Sequence, residues 1–349
     1  EPPYGDAQRT QGPGFGCEQT DMEDPTIDLN NTNKNFVSIN LKNEEGMKFM
    51  KKLLADADIF VNNLRDKALN KMGLDYETLH KEFPTLIWAQ MRGYGEYGPE
   101  KDSPGFDAVC WAARGGVANV FREDGESPAI APQAFGDYNV GHMLATGIVS
   151  ALFNRTRTGK GEKVVTNLYA GAIWGGNIGI CATQFGAPYP KSRKHVPNPF
   201  NNTYRTYDDK WIYICMPQYD KYYPMMMGLF GHEDQIENPD TNNLTSLKAS
   251  GKNVEVIDWL EKAFAKKTFD EWMAIFKENE VPAQKCFRYT DVVKDEEAYD
   301  NDALRVVEYE AYGKRALPMT PVRFGSYGDP PVVLSKPCLL YTSDAADDK

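Results

Sequence analysis

The segment GDYNVG at residues 136–141 carries the clearest chemical signal, because it places a carboxylate at the predicted start of a long helix. Backbone N–H groups and the helix dipole stabilise an anion at such a position. We therefore expect Asp137 to be ionised at neutral pH and able to act as a nucleophile. Gly136 before it would let a substrate approach the backbone closely. An aspartate that only caps the helix would give the same pattern, so both interpretations fit these residues.

A second segment, GYGEYG at residues 93–98, matches the GxGxxG pattern and follows a predicted strand. A dinucleotide site requires a helix to begin within such glycines, so that the helix N-terminus faces the pyrophosphate. Here PEKDSPG follows at residues 99–105, which is typical of a loop. The segment therefore favours a turn or an active-site loop over a nicotinamide or flavin site. The chain contains neither GxxxxGK[ST] nor GxSxG, the patterns of P-loop nucleotide sites and serine hydrolases.

Composition excludes several other classes of function. The formal net charge of −11 argues against a general nucleic-acid binder. No apolar run of about 18 residues exists to span a membrane. The first residues do not resemble a signal peptide, which favours a cytoplasmic location. The six cysteines form no CxxC pair and the four histidines show no metal-ligand spacing. We expect reduced, mostly buried thiols and no metal.

Hydrophobic periodicity predicts an α/β fold in the first half of the chain. Short apolar segments alternate with helical patterns, which implies crossover connections and a largely parallel sheet. The predicted strands are 37–41, 58–61, 86–91 and 163–169, and the predicted helices are 47–54, 76–81 and 137–157.

Composition changes near residue 185, where proline-rich segments resemble a linker. A strand at 211–216, a helix at 256–264 and a capping box at 268–271 then predict a smaller α+β domain. We expect a large α/β domain from residues 1–190 and 300–337, with the linker and small domain at 191–299.

Several blocks in a fixed order resemble the class III CoA-transferases, the family of formyl-CoA:oxalate, carnitine and 2-hydroxyacid CoA-transferases. The similarity extends from residue 1 to about 337. PNPF at 197–200 and CMP at 215–217 resemble the subgroup that acts on 2-hydroxyacids such as phenyllactate or 2-hydroxyisocaproate. The other blocks are NK (33–34), INLK (39–42), EG (45–46), residues 58–63, ALNKMGL (68–74), GYG (93–95), PGFD (104–107), GG (115–116), GD (136–137) and TGKG (158–161).

The resemblance implies a reversible transfer of coenzyme A between an acyl-CoA and a small carboxylic acid of the 2-hydroxy or arylpropanoate type. It makes Asp137 the covalent nucleophile, which forms a mixed anhydride and then an aspartyl-CoA thioester. CoA thioesters are substrates, and no permanently bound cofactor is expected. Tyr138, Asn139, His142 and Phe106 are candidate acid-pocket residues. The positions that line the CoA site in the family correspond to Ile39, Asn40, Leu41, Lys42, Asn63, Leu64, Arg65, Lys71, Phe106 and Asp107.

The resemblance also implies a Rossmann-like, CoA-binding large domain and an interlocked homodimer, with each active site near the domain interface. The chain departs from the family at 195–202 (HVPNPFNN), which lacks the glycines of the loop that closes over the nucleophile. We expect an N-terminal strand–turn–helix unit before Glu1. We also expect the tail at 338–349 (CLLYTSDAADDK) to be non-native.

Two alternatives fit the same family pattern. Acyl-CoA racemases of this superfamily pair the equivalent aspartate with a histidine, whereas this chain has Phe106 at that position. A racemase here would lack an obvious second base. A truncated chain that binds CoA without turnover is the other alternative.

Overall fold

The computed structural model describes residues 5–326, 328 and 331–335, and it shows a mixed α/β protein. The chain divides into two compact units. The core unit consists of Asp58–Cys286. The terminal unit combines the described residues up to Ala57 with those from Phe287 onward. The domain boundaries predicted at residues 190 and 300 differ from the boundaries of these units, and they stay a prediction.

The described strands are β1 (Ile59–Asn62), β2 (Ile87–Arg92), β3 (Lys163–Asn167), β4 (Asn201–Arg205), β5 (Trp211–Cys215), β6 (Ala283–Lys285), β7 (Leu304–Tyr309) and β8 (Gly313–Pro318). The described α-helices are α1 (Pro25–Asn31), α2 (Glu44–Ala55), α3 (Asp66–Met72), α4 (Tyr76–Glu82), α5 (Val117–Val120), α6 (Phe135–Thr158), α7 (Leu168–Gly175), α8 (Asn177–Thr183), α9 (Tyr219–Phe230), α10 (Leu244–Ser250), α11 (Asn253–Phe264), α12 (Phe269–Glu278), α13 (Tyr289–Val292) and α14 (Glu296–Asp300). A π-helical segment spans Ala108–Arg114.

The first layer of the core unit is a parallel sheet with strand order β1-β2-β3. Ile59 lies opposite Ile87, and Ala89 lies opposite Val164. The middle strand β2 is almost fully buried, which explains its nearly continuous apolar sequence. Helices α3 and α4 connect β1 to β2, whereas α6 leads into β3. The predicted parallel sheet is confirmed.

Helix α6 packs against β2 and β3 and runs antiparallel to them. Arg155, near its end, donates to the Asp58 carboxylate at 2.7 Å and to the Thr85 carbonyl at 3.1 Å. Both acceptors precede their strands, so the C-terminal end of α6 lies at the amino edge of the sheet. The N-terminus of α6 therefore lies toward the carboxyl edge, where ligands bind in open α/β sheets.

The remainder of the core unit is an antiparallel sheet, β4-β5-β6, packed with helices α9–α12. Its core is rich in aromatic side chains, including Tyr204 stacked on Phe264 with ring centroids 4.7 Å apart. Thr268 and Glu271 form the predicted capping box at the start of α12. The predicted strand and the two predicted helices of this region are all present.

The terminal unit contains the antiparallel pair β7 and β8. Its Tyr309 hydroxyl donates to the buried Asp28 carboxylate of α1 at 2.9 Å. The predicted strand at 37–41 is wrong, since these residues form a loop and turn that lead into α2. The side-chain oxygens of Asn40 and Asn43 accept hydrogen bonds from the backbone N–H groups of Lys42 and Gly46. These N–H groups are therefore satisfied locally rather than by a neighbouring strand.

The cysteines differ from the expectation of buried thiols. Of the five described ones, Cys110 is buried, Cys17 is intermediate, and Cys181, Cys215 and Cys286 are exposed. Cys338 lies outside the described residues, as does the rest of the tail at 338–349. None of the described helices combines the length and apolar composition that crossing a bilayer requires. Within the described ranges, His, Cys, Asp and Glu form no group of three or more suited to a metal.

Candidate active site

Asp137 lies in the first turn of α6, with its side chain accessible to solvent. The helix begins at Phe135, two residues before the predicted start, and Ala134 precedes it with a φ of 56°. Ala134 provides no side-chain cap. Asp137 is therefore a first-turn residue rather than the capping residue, and its carboxylate is free to face a substrate.

The π-helical segment determines where this first turn lies, because Trp111 packs directly on Gly136. A Cβ added at Gly136 would lie 2.5 Å from Cγ of the Trp111 indole. Trp111 also contacts Phe135, with ring centroids 5.6 Å apart. The expectation that Gly136 leaves room for a substrate is wrong, because the indole fills that space. Glycine is required here by packing.

Asp107 anchors the same turn from the other side. Its carboxylate accepts the backbone N–H of Gly136 at 2.9 Å, and the residue is only 6% exposed. Partial desolvation of the carboxyl group by the surrounding protein, together with the nearby Asp107 carboxylate, raises the pKa of Asp137, although the residue stays accessible to solvent. Sequence reasoning expected the helix N-terminus to stabilise the Asp137 anion. The surrounding protein and Asp107 outweigh that effect, since both disfavour the charged form.

Four of the predicted CoA residues follow β1 at the carboxyl edge of the parallel sheet. Asn63, Leu64 and Arg65 form the connection to α3, and Lys71 lies in the last turn of that helix. All four are exposed. The N-terminus of α6 lies toward the same edge, so the sheet brings Asn63, Leu64 and Arg65 to the same side of the core unit as Asp137, whereas Lys71 lies further along α3.

The β1–α3 connection is held by two side chains of β2. Gln90 donates to the Leu64 carbonyl at 2.7 Å. Arg92, whose side chain is 7% exposed, pairs with the Asp66 carboxylate at 2.6 Å and also donates to Gln90. The Arg92 guanidinium and its hydrogen bond lower the pKa of Asp66. Family resemblance did not point to Gln90 or Arg92, although two polar residues in a buried strand are a signal that could have been noticed.

The predicted CoA residues 39–42 lie in the terminal unit, in the turn before α2. Gly46 permits this turn, because an added Cβ would lie 2.1 Å from the Asn40 carbonyl oxygen. Asn40 and Lys42 are exposed, whereas Ile39 and Leu41 are half-buried.

The candidate acid-pocket residues surround the start of α6. Asn139 donates to the Phe135 carbonyl at 2.7 Å, and a ring nitrogen of His142 lies 2.8 Å from the Tyr138 carbonyl. Tyr138, Asn139 and His142 are exposed, as is Phe106. These residues are placed where a substrate could reach them, and their role stays a prediction.

A polar and aromatic cluster beneath the glycine-rich loop was missed by sequence reasoning. Tyr94 packs against the buried cluster that contains Cys110. The Arg114 guanidinium lies over the rings of Tyr94 and Tyr169, at 5.1 and 5.4 Å from their centroids. Burial raises the pKa of the Cys110 thiol, and the Asp137 charge adds to this effect. The cluster therefore lies next to the candidate nucleophile.

The glycine-rich loop itself is a turn, as predicted, and no helix begins within it. The backbones of Gly93 and Gly105 are in direct contact, since a Cβ on Gly105 would lie 2.8 Å from the Cα of Gly93. The loop between them is thus closed at its base. This geometry lacks the helix N-terminus that a dinucleotide pyrophosphate requires.

The segment at 195–202 is fixed to the antiparallel sheet. Asn198 donates to the Met216 carbonyl at 3.1 Å, and Tyr204 donates to the Pro199 carbonyl at 2.6 Å. A cavity of about 520 Å³ near this region is lined by residues that include Arg193, Trp211 and Glu261. It contains none of the predicted site residues.

Known proteins match nearly the whole chain. The sequence model of CoA-transferase family III matches residues 1–337. Cinnamoyl-CoA:phenyllactate CoA-transferase of Clostridium sporogenes is 40% identical over 333 residues, covering 95% of this chain and 81% of that protein. (R)-2-hydroxy-4-methylpentanoate CoA-transferase of Clostridioides difficile is 39% identical over 328 residues, covering 94% of this chain and 82% of that protein.

The fold has a close counterpart among solved structures. A mutant of Rv3272 from Mycobacterium tuberculosis superposes with a TM-score of 0.79 at 25% identity, over 97% of this chain and 88% of that chain. The mixed α/β architecture described above is therefore shared with an experimentally determined structure.

Proposed function

Since this chain belongs to CoA-transferase family III, we propose that it moves CoA reversibly between an acyl-CoA and a small carboxylic acid, with Asp137 as the nucleophile. The observation that carries the assignment of Asp137 is its position. A solvent-accessible carboxylate lies in the first turn of α6, toward the carboxyl edge of a parallel sheet.

In the proposed reaction, the Asp137 carboxylate attacks the thioester carbonyl of the donor and expels CoA thiolate, which leaves a mixed anhydride. The thiolate then attacks the aspartyl carbonyl, releasing the donor acid and forming an aspartyl-CoA thioester. The carboxylate of the acceptor acid attacks this thioester and expels the thiolate again. The thiolate finally attacks the acceptor carbonyl of the second anhydride, which frees Asp137 and the new acyl-CoA.

A carboxylate suits this sequence better than a hydroxyl nucleophile. Both anhydride and thioester intermediates remain activated, so the free energy of the donor thioester is carried to the product. A serine ester would lose much of it.

The residues after β1 would hold the CoA substrate in the core unit, and the role of residues 39–42, in the terminal unit, stays a prediction. Lys42, Arg65 and Lys71 are exposed cations suited to the CoA phosphates. None of the three forms an ion pair with another described residue. Their charges are therefore available to a ligand.

For the acids, we propose the 2-hydroxy or arylpropanoate type. The names of the two relatives above, phenyllactate and 2-hydroxy-4-methylpentanoate CoA-transferases, support this class. Tyr138, Asn139, His142 and Phe106 would contact the acid beside Asp137.

We further propose that two copies form an interlocked homodimer. The apolar side chains of Trp174, Ile178 and Phe185, on and after the consecutive helices α7 and α8, are 70%, 80% and 86% exposed. Large apolar exposure of this kind marks an interaction surface.

The proposal is tested by trapping the covalent intermediate in the full-length protein. Hydroxylamine added during incubation with cinnamoyl-CoA should convert Asp137 to its hydroxamate, which peptide mass spectrometry would detect. Asp137→Ala should lower kcat by roughly three orders of magnitude or more, as loss of a covalent nucleophile does elsewhere.

Asp258→Ala provides a matched control, because Asp258 is another exposed aspartate on a helix of the core unit. It should leave turnover unchanged. Full activity of Asp137→Ala would refute the assignment. With a saturated acyl-CoA, exchange of the α-hydrogen with solvent deuterium, without trapping at Asp137, would indicate a racemase instead.

A further inference from the structure

The contact between Asp107 and Gly136 joins two parts of the core unit that are 29 residues apart in sequence. Residues at a helix N-terminus leave backbone N–H groups without an intrahelical partner, and a side chain must satisfy them when they are buried. Ala134 cannot do so. Asp107, at the entry of the π-helical segment, supplies the missing acceptor to the buried Gly136 N–H.

This bond acts on the backbone immediately before Asp137. With the Trp111 indole against Gly136 on one side and the Asp107 carboxylate on its N–H, the residue that precedes Asp137 is held by two contacts. Neither contact blocks the Asp137 side chain, which remains exposed. Contacts that fix the adjacent backbone in this way keep a reacting group in its productive geometry.

We infer that Asp107 is a positioning residue for the transfer reaction: its carboxylate fixes the first turn of α6 and so orients the Asp137 carboxylate toward the substrate carbonyl. The inference rests on the proposed function. It gives Asp107 a different role from the CoA contact that family resemblance implies, because its buried carboxylate is already bonded to Gly136.

A second consequence follows from charge. Beside partial desolvation, which is the larger cause, the like charge of Asp107 makes the ionised form of Asp137 less favourable and raises its pKa further. A more basic carboxylate holds its electrons less tightly and is a better nucleophile toward a thioester. Other titratable or charged groups on the elements packed around this turn are Tyr94, Arg92, Cys110, Arg114, Tyr138, His142 and Tyr169.

The test compares Asp107→Asn with Asp107→Ala in the full-length protein. The asparagine amide oxygen can still accept the Gly136 N–H but carries no charge. Because kcat/KM for the acyl-CoA requires ionised Asp137, its acid limb reports the Asp137 pKa. Removing the Asp107 charge lowers that pKa, so the acid limb should move to lower pH. At neutral pH, kcat should fall severalfold, while KM for the acyl-CoA should stay within twofold.

Asp107→Ala also loses the hydrogen bond and should lower kcat by at least tenfold, again with little change in KM. Asp75→Asn and Asp75→Ala are matched controls, because the Asp75 carboxylate accepts the Thr78 N–H at 3.0 Å at the start of α4. They should change neither the pH profile nor kcat.

The inference would be overturned if both Asp107 variants raised KM for the acyl-CoA with kcat unchanged, since that pattern indicates a CoA contact. An unmoved acid limb together with wild-type kcat would overturn it as well. Failure of the proposed function gives a different result, namely full activity in Asp137→Ala.

Discussion

At the scale of single residues, Gly136 is determined by its neighbour Trp111 rather than by a ligand. A methyl group there would overlap the indole at 2.5 Å, and that ring cannot move easily because it is buried in the cluster with Val140, Leu168 and Ala172. We predict that Gly136→Ala costs about 1–3 kcal/mol of unfolding free energy, as overpacking does elsewhere. It should also lower kcat, because the turn that carries Asp137 must shift.

Gly141→Ala on the same helix is the matched control. An added Cβ there meets no atom within 4 Å, so the substitution should be neutral or stabilise the protein by up to about 1 kcal/mol. Urea unfolding and steady-state kinetics measure both variants. Equal stability of the two variants would show that the Trp111 indole moves to accommodate the methyl group and that packing does not require glycine at position 136.

The candidate nucleophile could be named from the sequence, whereas its environment could not. GDYNVG and the ordered blocks around it were sufficient to select Asp137. The Asp107 contact escaped prediction because its partner is a backbone N–H distant in sequence, which leaves no local pattern. The direction of the Asp137 pKa shift could not be predicted from the sequence for the same reason, since it depends on burial and on Asp107.

At the scale of secondary-structure elements, β2 supports the loop that is proposed to bind CoA. Arg92 and Gln90 project from its carboxyl end and hold Asp66 and Leu64. We predict that Arg92→Met costs about 1–3 kcal/mol of stability, because Asp66 and the buried Gln90 lose a donor. KM for the acyl-CoA should rise about tenfold, which corresponds to about 1.4 kcal/mol of binding free energy.

Arg155→Met separates the two effects. Arg155 also ties strands together, through Asp58 and Thr85, but at the opposite edge of the sheet. It should lower stability without changing KM, as measured by thermal unfolding and by initial rates. If Arg92→Met and Arg155→Met changed KM equally, the loop after β1 would not be the CoA contact.

Elements were predictable where burial follows a regular period. The strands of the parallel sheet and the helices α2, α4 and α6 were located within a few residues. The alternating apolar residues at 37–41 wrongly predicted a strand, because asparagine side chains satisfy the neighbouring backbone N–H groups. The predicted strand to Tyr169 ends at Asn167, whose side chain accepts the Ala170 N–H at 2.7 Å and starts α7. Local polar caps thus override apolar patterns at element boundaries.

At the scale of the whole molecule, the sequence indicated the α/β class, and its division into domains stays a prediction beside the two compact units of the structure. The core unit contains both the parallel sheet and the antiparallel sheet, and it ends at Cys286, before the predicted return near 300. No composition change marks that position. The proposed homodimer was likewise inferred from family resemblance, and the exposed apolar side chains give it physical support.

The exposed apolar surface of α7 and α8 allows the homodimer to be tested directly. Trp174→Asp and Ile178→Asp place a charge where the homodimer would require apolar contact, and a buried unpaired charge costs several kcal/mol. Each should convert the dimer to monomer in sedimentation velocity at micromolar concentration. Far-ultraviolet circular dichroism should be unchanged, because both side chains are exposed in the single chain.

Tyr207→Asp is the matched control, because Tyr207 is 74% exposed and belongs to the turn between β4 and β5 rather than to α7 or α8. It should leave the oligomeric state unchanged. A wild-type protein that sediments as a monomer would refute the homodimer directly. Dimers that persist in both α7 and α8 variants would place the interface on another surface, since a charge at its centre cannot be tolerated without a partner.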